Sequence, residues 1–241
     1  MGEFRTFRLK RILRVESMIK TNIAYNFSQK YGCENYMKME NFNFIQKDTR
    51  SIKNIIELIT GLHEIIAKQI NKHEAIKHYM IEYGYVPLWV LVNKLSLGSI
   101  SKFYALMKQQ DKQEISKVYK LTDLELSNIL KNLTYCRNKC AHGEVLYNFK
   151  SSADLRENRV HRKLLIPRVD GKSVKGRNDL FSIIISLKIF LDEKDFCKMV
   201  EEIEYEINKL ESELNVITVE DVYNKMGFIE NWIKIRDVRL L

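Results

Sequence analysis

The stretch TDLELSNILKNLTYCRNKCAHG, Thr122–Gly143, decides the class of fold. Thr122 followed three residues later by Glu125 is a capping-box signature, in which each side chain satisfies the other's free backbone N–H at a helix start. Leu126, Ile129, Leu130, Leu133, Cys136 and Cys140 then recur at three- and four-residue steps, the period of one helix face. Gly143 follows as a stop signal. The spacing predicts a helix running to about Ala141.

Near the end of this helix stand Arg137, Asn138 and His142. Arg137 falls close to the middle of the apolar stripe, where a guanidinium is costly unless a carboxylate or phosphate pairs with it. Asn138 and His142, four apart, share a different face. Arg137 and His142 are separated by about 140° of rotation and ~7.5 Å of rise on an unbroken helix. One straight helix therefore does not aim both at one point. Either the helix loosens before Gly143 or the site combines two chains, and both together are expected.

These residue types fit cleavage of RNA. Attack of a 2′-hydroxyl on the adjacent phosphorus needs proton transfer at two oxygens and stabilisation of negative charge. Histidine titrates near neutrality and can carry the proton. Arginine offers a rigid fork of donors to phosphate. Asn138 would hold the phosphate or orient the histidine. No metal or other cofactor is required. One histidine per chain is thin for both acid and base roles, and a homodimer would supply two. The structural alternative is Arg137 paired with a core acid and His142 on the helix's last carbonyls. The spacing alone is weak evidence, because R-x4-H recurs at Arg156 and His161.

Composition agrees with a nucleic-acid partner. Forty Lys and Arg against 31 Asp and Glu leave +9, which favours polyanions. Two prolines and nine glycines in 241 residues argue against a loop-rich or all-β chain. No apolar run approaches the ~20 residues of a membrane span. Four cysteines in a chain of this length do not make a disulfide framework, so a cytoplasmic setting is expected.

The remaining chain reads as one helical domain over 1–241. Helices are expected over Phe7–Lys30, stopped by Gly32, and over Thr49–Asn71, with Ile52, Ile55, Ile56, Ile59, Leu62, Ile65, Ile66 and Ile70 on one face. Cys33–Asp48 reads as an ordered loop. A polar stretch holding His73 and His78 follows; five apart, they share no face and make a poor metal pair. Tyr85–Gly98 is apolar nearly all round and is expected to be the most buried helix, with Pro87 in its first turn and Gly98 at its end. A short helix over Ser99–Met107, a polar turn at Gln109–Gln113 and weak helix over Ile115–Tyr119 lead to the motif helix. Helices resume at Leu180–Leu191, Lys194–Leu214 and Thr218–Met226, and Trp232 falls in a C-terminal tail.

Between them, 150–178 is a polar, positively charged insertion. It reads as a mobile basic loop or as a short hairpin built from Val160–Ile166, Asp170-Gly171 and Ser173-Val174. Arg156, Arg159 and Arg162 here, with Lys139 on the motif helix, are the residues expected to hold an RNA backbone. Cys136 and Cys140 with His142 lack a fourth zinc ligand and read as core cysteines.

Arg-Asn-x3-His at a helix end resembles the HEPN superfamily of helical ribonucleases and RNA-binding domains. MIKTNIAYNFSQKYG (Met18–Gly32), VPLWVLVNKLSLG (Val86–Gly98) and Leu133–Phe149 resemble one branch, the Abi-like (abortive infection, AbiD/AbiF-type) proteins of bacteria. The resemblance extends over about residues 7–210. It implies an all-α HEPN-like bundle, dimerisation across the motif helices, and RNA cleavage that shuts down a phage-infected cell. It makes Arg137 and His142 the catalytic pair, with Asn138 as the polar residue that follows the arginine. A structured noncoding RNA is an implied regulator.

There are departures from the family pattern. Longer relatives carry a helical segment before the equivalent of residue 7, absent here, which bears on substrate entry or control. A second histidine is common in the family where Gly143 stands. Glu144 stands where relatives silenced by adenylylation have tyrosine, so that control is not expected. The alternatives to a ribonuclease are a non-catalytic module binding a structured RNA and a helical interaction protein without an RNA role.

Overall fold

The computed structural model describes residues 2–142, 144, 146–211 and 218–240, and among these the fold is all-α with one two-stranded hairpin. The chain divides into two compact units, one of residues 16–127 and one of residues 1–15 with 128–241. Helix α1, Gly2–Tyr31, and helix α7, Asp123–Ala141, each contribute to both.

In the unit of residues 16–127, Ile19, Ile23 and Phe27 of α1 are buried, and Gly32 stops the helix at φ 87°. Phe27, Phe42 and Phe103 meet at ring separations of 5.2–5.6 Å and form the aromatic centre of this core. Phe42 lies in the segment expected to be a loop, and that segment holds two short 3-10 turns, Asn35–Met37 and Met39–Asn41. Helix α2, Thr49–Gln69, buries Ile55, Leu58, Leu62 and Ile66 against α5, Leu97–Leu106. The expected stripe is displaced: Ile56 is 48% exposed and Leu58 takes its place inside.

The polar stretch after residue 71 is a helix, α3, Glu74–Tyr83; it buries only Ile76, too little to leave a periodic signal. Tyr85–Gly98 is not one buried helix. It holds α4, Leu88–Leu91, and a 3-10 turn, Val92–Lys94, and Trp89 is 52% exposed. Gly98 does not end a helix but lies in the first turn of α5, because Ser96 caps it by accepting from the Ser99 N–H at 3.1 Å. Gln109–Gln113 opens helix α6, Gln109–Val118, rather than forming a turn. Its buried face carries Asp111, which accepts from the Tyr31 hydroxyl at 2.7 Å and from Lys30, so a carboxylate replaces an apolar residue in the pattern.

The other unit is built around helix α9, Leu180–Phe190, in which every residue except Ile189 is buried. It, not 85–98, is the most buried helix described. Asp179 caps its start, accepting from the Ser182 N–H at 3.0 Å. Helix α10, Glu193–Glu211, adds Phe196, Met199, Val200, Ile203 and Ile207 to the core. The buried Arg11 of α1 pairs with Glu202 at 2.7 Å, and Arg14 with Asp192 and Asp195. Leu13 of α1 is 44% exposed. Helix α11, Val219–Met226, ends at Gly227, and Trp232 follows in a 3-10 segment, Trp232–Asp237. Trp232 is not in a loose tail: it is 1% exposed, with its ring 4.5 Å from that of Phe228.

The 150–178 insertion is ordered by backbone pairing: the Ser151 N–H donates to the Asn178 carbonyl at 2.7 Å and the Leu155 N–H to that of Arg177 at 2.6 Å. Val160–Ile166 is not a strand. Arg159–Lys163 forms a short helix, α8, capped by Asn158. The hairpin is smaller than expected, β1, Arg168–Val169, against β2, Lys172–Ser173. Its turn is the expected Asp170-Gly171, with φ of 50° and 73°, the pair of positive values a type I′ turn demands.

Candidate active site

Helix α7 starts as its sequence requires. The Thr122 N–H donates to Glu125 Oε2 at 2.8 Å, and the Glu125 N–H returns a bond to Thr122 Oγ1 at 3.2 Å. Leu126, Ile129, Leu130, Leu133, Cys136 and Cys140 are all buried, so the stripe is the core face and the two cysteines are core residues. Asn132 is also fully buried; its Nδ2 donates to Ser182 Oγ at 2.9 Å and locks α7 to α9.

The opposite face carries Lys131, Tyr135, Asn138 and His142, all exposed. Their spacing of four, three and four residues makes one continuous ridge. Arg137, expected close to the middle of the apolar stripe, is half-buried. Asn138 and His142 therefore share one face, while Arg137 leaves the helix about 140° away from His142.

The helix does not loosen at the motif. The His142 N–H donates to the Asn138 carbonyl at 3.0 Å, the ordinary helical bond. The Glu144 N–H then reaches back to the Lys139 carbonyl at 3.1 Å, five residues earlier instead of the helical four. Gly143, the expected stop, lies outside the described residues. The Lys139 ammonium pairs with Glu144 at 2.5 Å. A surface pair of this kind is worth about 0–1 kcal/mol, so a phosphate can displace the carboxylate.

The insertion's cations are distributed differently. The Arg156 N–H donates to Asn128 Oδ1 at 2.6 Å, and Asn128 Nδ2 donates to the Asp154 carbonyl at 2.9 Å. The backbone of exposed Arg156 is thus tied to α7 at a point ~21 Å of helix rise from His142. Arg159 is half-buried and Arg162 exposed, both on α8. The second R-x4-H pair separates into an exposed arginine and a buried histidine. His161 Nδ1 accepts from the Asn158 N–H at 3.3 Å and Nε2 lies 2.8 Å from the Gly176 carbonyl. A carbonyl only accepts, so Nε2 carries the proton. Burial holds the imidazolium form of His161 below the usual histidine range. Its place is structural.

Sequence reasoning missed Lys131 and Tyr135, although they continue the Asn138–His142 face at helical spacing. Among the described residues, no three His, Cys, Asp or Glu side chains are grouped to hold a metal ion. No described helix is long and apolar enough to cross a membrane.

Residues 2–148, more than half of the chain, match the family model described as Abi-like protein. The chain belongs to the Abi-like family. Comparison with curated proteins and with solved structures gave no match.

Proposed function

We propose that this Abi-like chain is a metal-independent endoribonuclease of an abortive-infection system, of the HEPN type, acting as a homodimer on RNA in the cytoplasm. The observation that carries the reading is the division of roles around the end of α7. Exposed Asn138 and His142 share one ridge, and half-buried Arg137 points away from it. A site of this kind is completed by a second copy of the same helix, so that two His142 imidazoles face each other across a two-fold axis with the Arg137 pair at one phosphate.

In that arrangement one His142 accepts the proton of the attacking 2′-hydroxyl. The 2′-oxygen bonds to phosphorus, the bond from phosphorus to the 5′-oxygen breaks, and the partner imidazolium protonates the leaving oxygen. The products are a 2′,3′-cyclic phosphate and a 5′-hydroxyl. Arg137 bears the charge that grows on the non-bridging oxygens. Asn138 holds the phosphate or orients the imidazole. Lys139, Arg156, Arg159 and Arg162 would carry flanking backbone contacts, and a structured noncoding RNA would regulate access.

The test is incubation of purified protein with total RNA in EDTA, beside His142→Ala and Arg137→Ala. Cleavage that persists in EDTA and drops at least ~10²-fold in each variant supports the reading. Equal cleavage by all three preparations sinks it. Tight RNA binding without cleavage by any of them leaves a non-catalytic RNA-binding module.

A further inference from the structure

In the unit of residues 16–127 lies a cluster of rings, exposed at His78, Tyr83 and Trp89 and half-buried at Tyr79 and Tyr85. Tyr79 and Tyr83 stand one turn apart on α3 with ring centroids 5.6 Å apart. Trp89 of α4 meets Tyr79 edge-on at 5.6 Å and 87°. Tyr85 lies 6.3 Å from Tyr83, and His78 packs edge-on against Tyr79 and Tyr83. Trp89 is 52% and Tyr83 59% exposed.

This exposure is not forced by a shortage of core. Leu88, Val90 and Leu91 around Trp89 are all buried, and only the largest member of the segment is turned outward. Nor is the cluster on a loose segment. α3 ends on Gly84 at φ 74°, the Val86 carbonyl accepts from the buried Tyr36 hydroxyl at 2.7 Å, and the Leu88 N–H donates to the Cys33 carbonyl at 2.8 Å. The rings are held in place before any ligand arrives, so little ordering entropy opposes binding.

We infer that this cluster is a stacking platform for the unpaired bases of single-stranded RNA. Exposed π-faces recognise bases of any sequence, whereas a duplex keeps its bases stacked and offers no free face. The segment carries exposed Lys72, Lys77 and Lys94 against exposed Glu74 and Glu82, so its surroundings are close to neutral. Affinity here comes from the rings, and the long-range attraction from the +9 charge of the whole chain. The choice of RNA as the polyanion rests on the function proposed above; the platform itself does not depend on catalysis.

The chain contains two tryptophans, and Trp232 is buried, so Trp89 is a built-in fluorescent reporter. Full-length His142→Ala protein is titrated with an oligouridine of roughly ten nucleotides and with an RNA duplex of equal length. Trp89 emission is expected to be quenched by the single strand and not by the duplex. Trp89→Ala is expected to weaken single-strand binding by on the order of tenfold, and Trp89→Phe by much less, because a ring remains. Tyr83→Ala, at a still more exposed position, is the second variant should Trp89→Ala fold poorly. That ring-dependent loss should persist as salt is raised, while total affinity falls.

Binding without quenching, or with equal affinity in Trp89→Ala and Tyr83→Ala, overturns the platform. So does quenching that grows with protein concentration in the absence of RNA, which would mark a surface for self-association. The two readings fail separately. Quenching by single strands with no cleavage by the wild type removes the nuclease and keeps the platform. Wild-type cleavage with no quenching does the reverse.

Discussion

His161 is a neutral imidazole closed inside the insertion, accepting from Asn158 and donating to Gly176. Its protonation would break the first of these bonds and place a charge at a buried position. Because burial lowers its folded pKa below the ordinary 6.5, the unfolded chain binds the extra proton first. The stability it contributes is therefore complete above pH 6.5 and is lost as the pH falls from there toward the folded pKa. His161→Ala is expected to cost about 2–4 kcal/mol near neutral pH, from lost packing and hydrogen bonds. Urea unfolding of both proteins should show that difference shrinking between about pH 7.5 and pH 5. A difference that does not change with pH would mean that the imidazole contributes through shape alone. His142 has the same R-x4 spacing and is exposed. Spacing in sequence did not separate the two; burial does.

At the level of elements, the ends of helices were more legible than their interiors. The Thr122–Glu125 box, the stop at Gly32 and the Asp170-Gly171 turn depend on local backbone chemistry, and each forms as its residues require. Helix α3 and the first half of α6 escaped notice because α3 buries only Ile76 and α6 buries an aspartate, whereas the end of α6 was legible as weak helix over Ile115–Tyr119. Some joints depend on residues distant in sequence. Gly227, at φ 76°, ends α11 where the carboxyl of Asp179 caps α9; a Cβ built there would lie 2.1 Å from Asp179 Cγ. Gly227→Ala is expected to cost about 3–5 kcal/mol, combining a left-handed backbone, a clash and a weakened cap. A thermal melt within a degree or two of wild type would show that Asp179 can move aside without loss.

For the whole molecule, the proposed homodimer is the feature to test, because the helical hydrogen bond continues to His142. In the proposed reading, Arg137 and His142, about 140° apart on the helix, meet at one phosphate through a second chain. Mixing wild-type with His142→Ala subunits tests this directly. If one composite site needs both histidines, activity falls as the square of the wild-type fraction, and an equal mixture keeps about a quarter. A linear fall would mean that each chain works alone.

The sequence by itself determined the helical class, the motif helix with its core face, and the local signals at helix ends and turns. These follow from backbone preferences and the period of one helix, which need no distant residue. It also determined the Arg137-Asn138-x3-His142 spacing and the family resemblance. Only the tertiary structure decided which R-x4-H histidine is enclosed, that α9 rather than 85–98 fills the core, and that Trp89 faces outward. Burial is set by what packs against a residue from elsewhere in the chain, and hydrophobicity at one position does not carry that information.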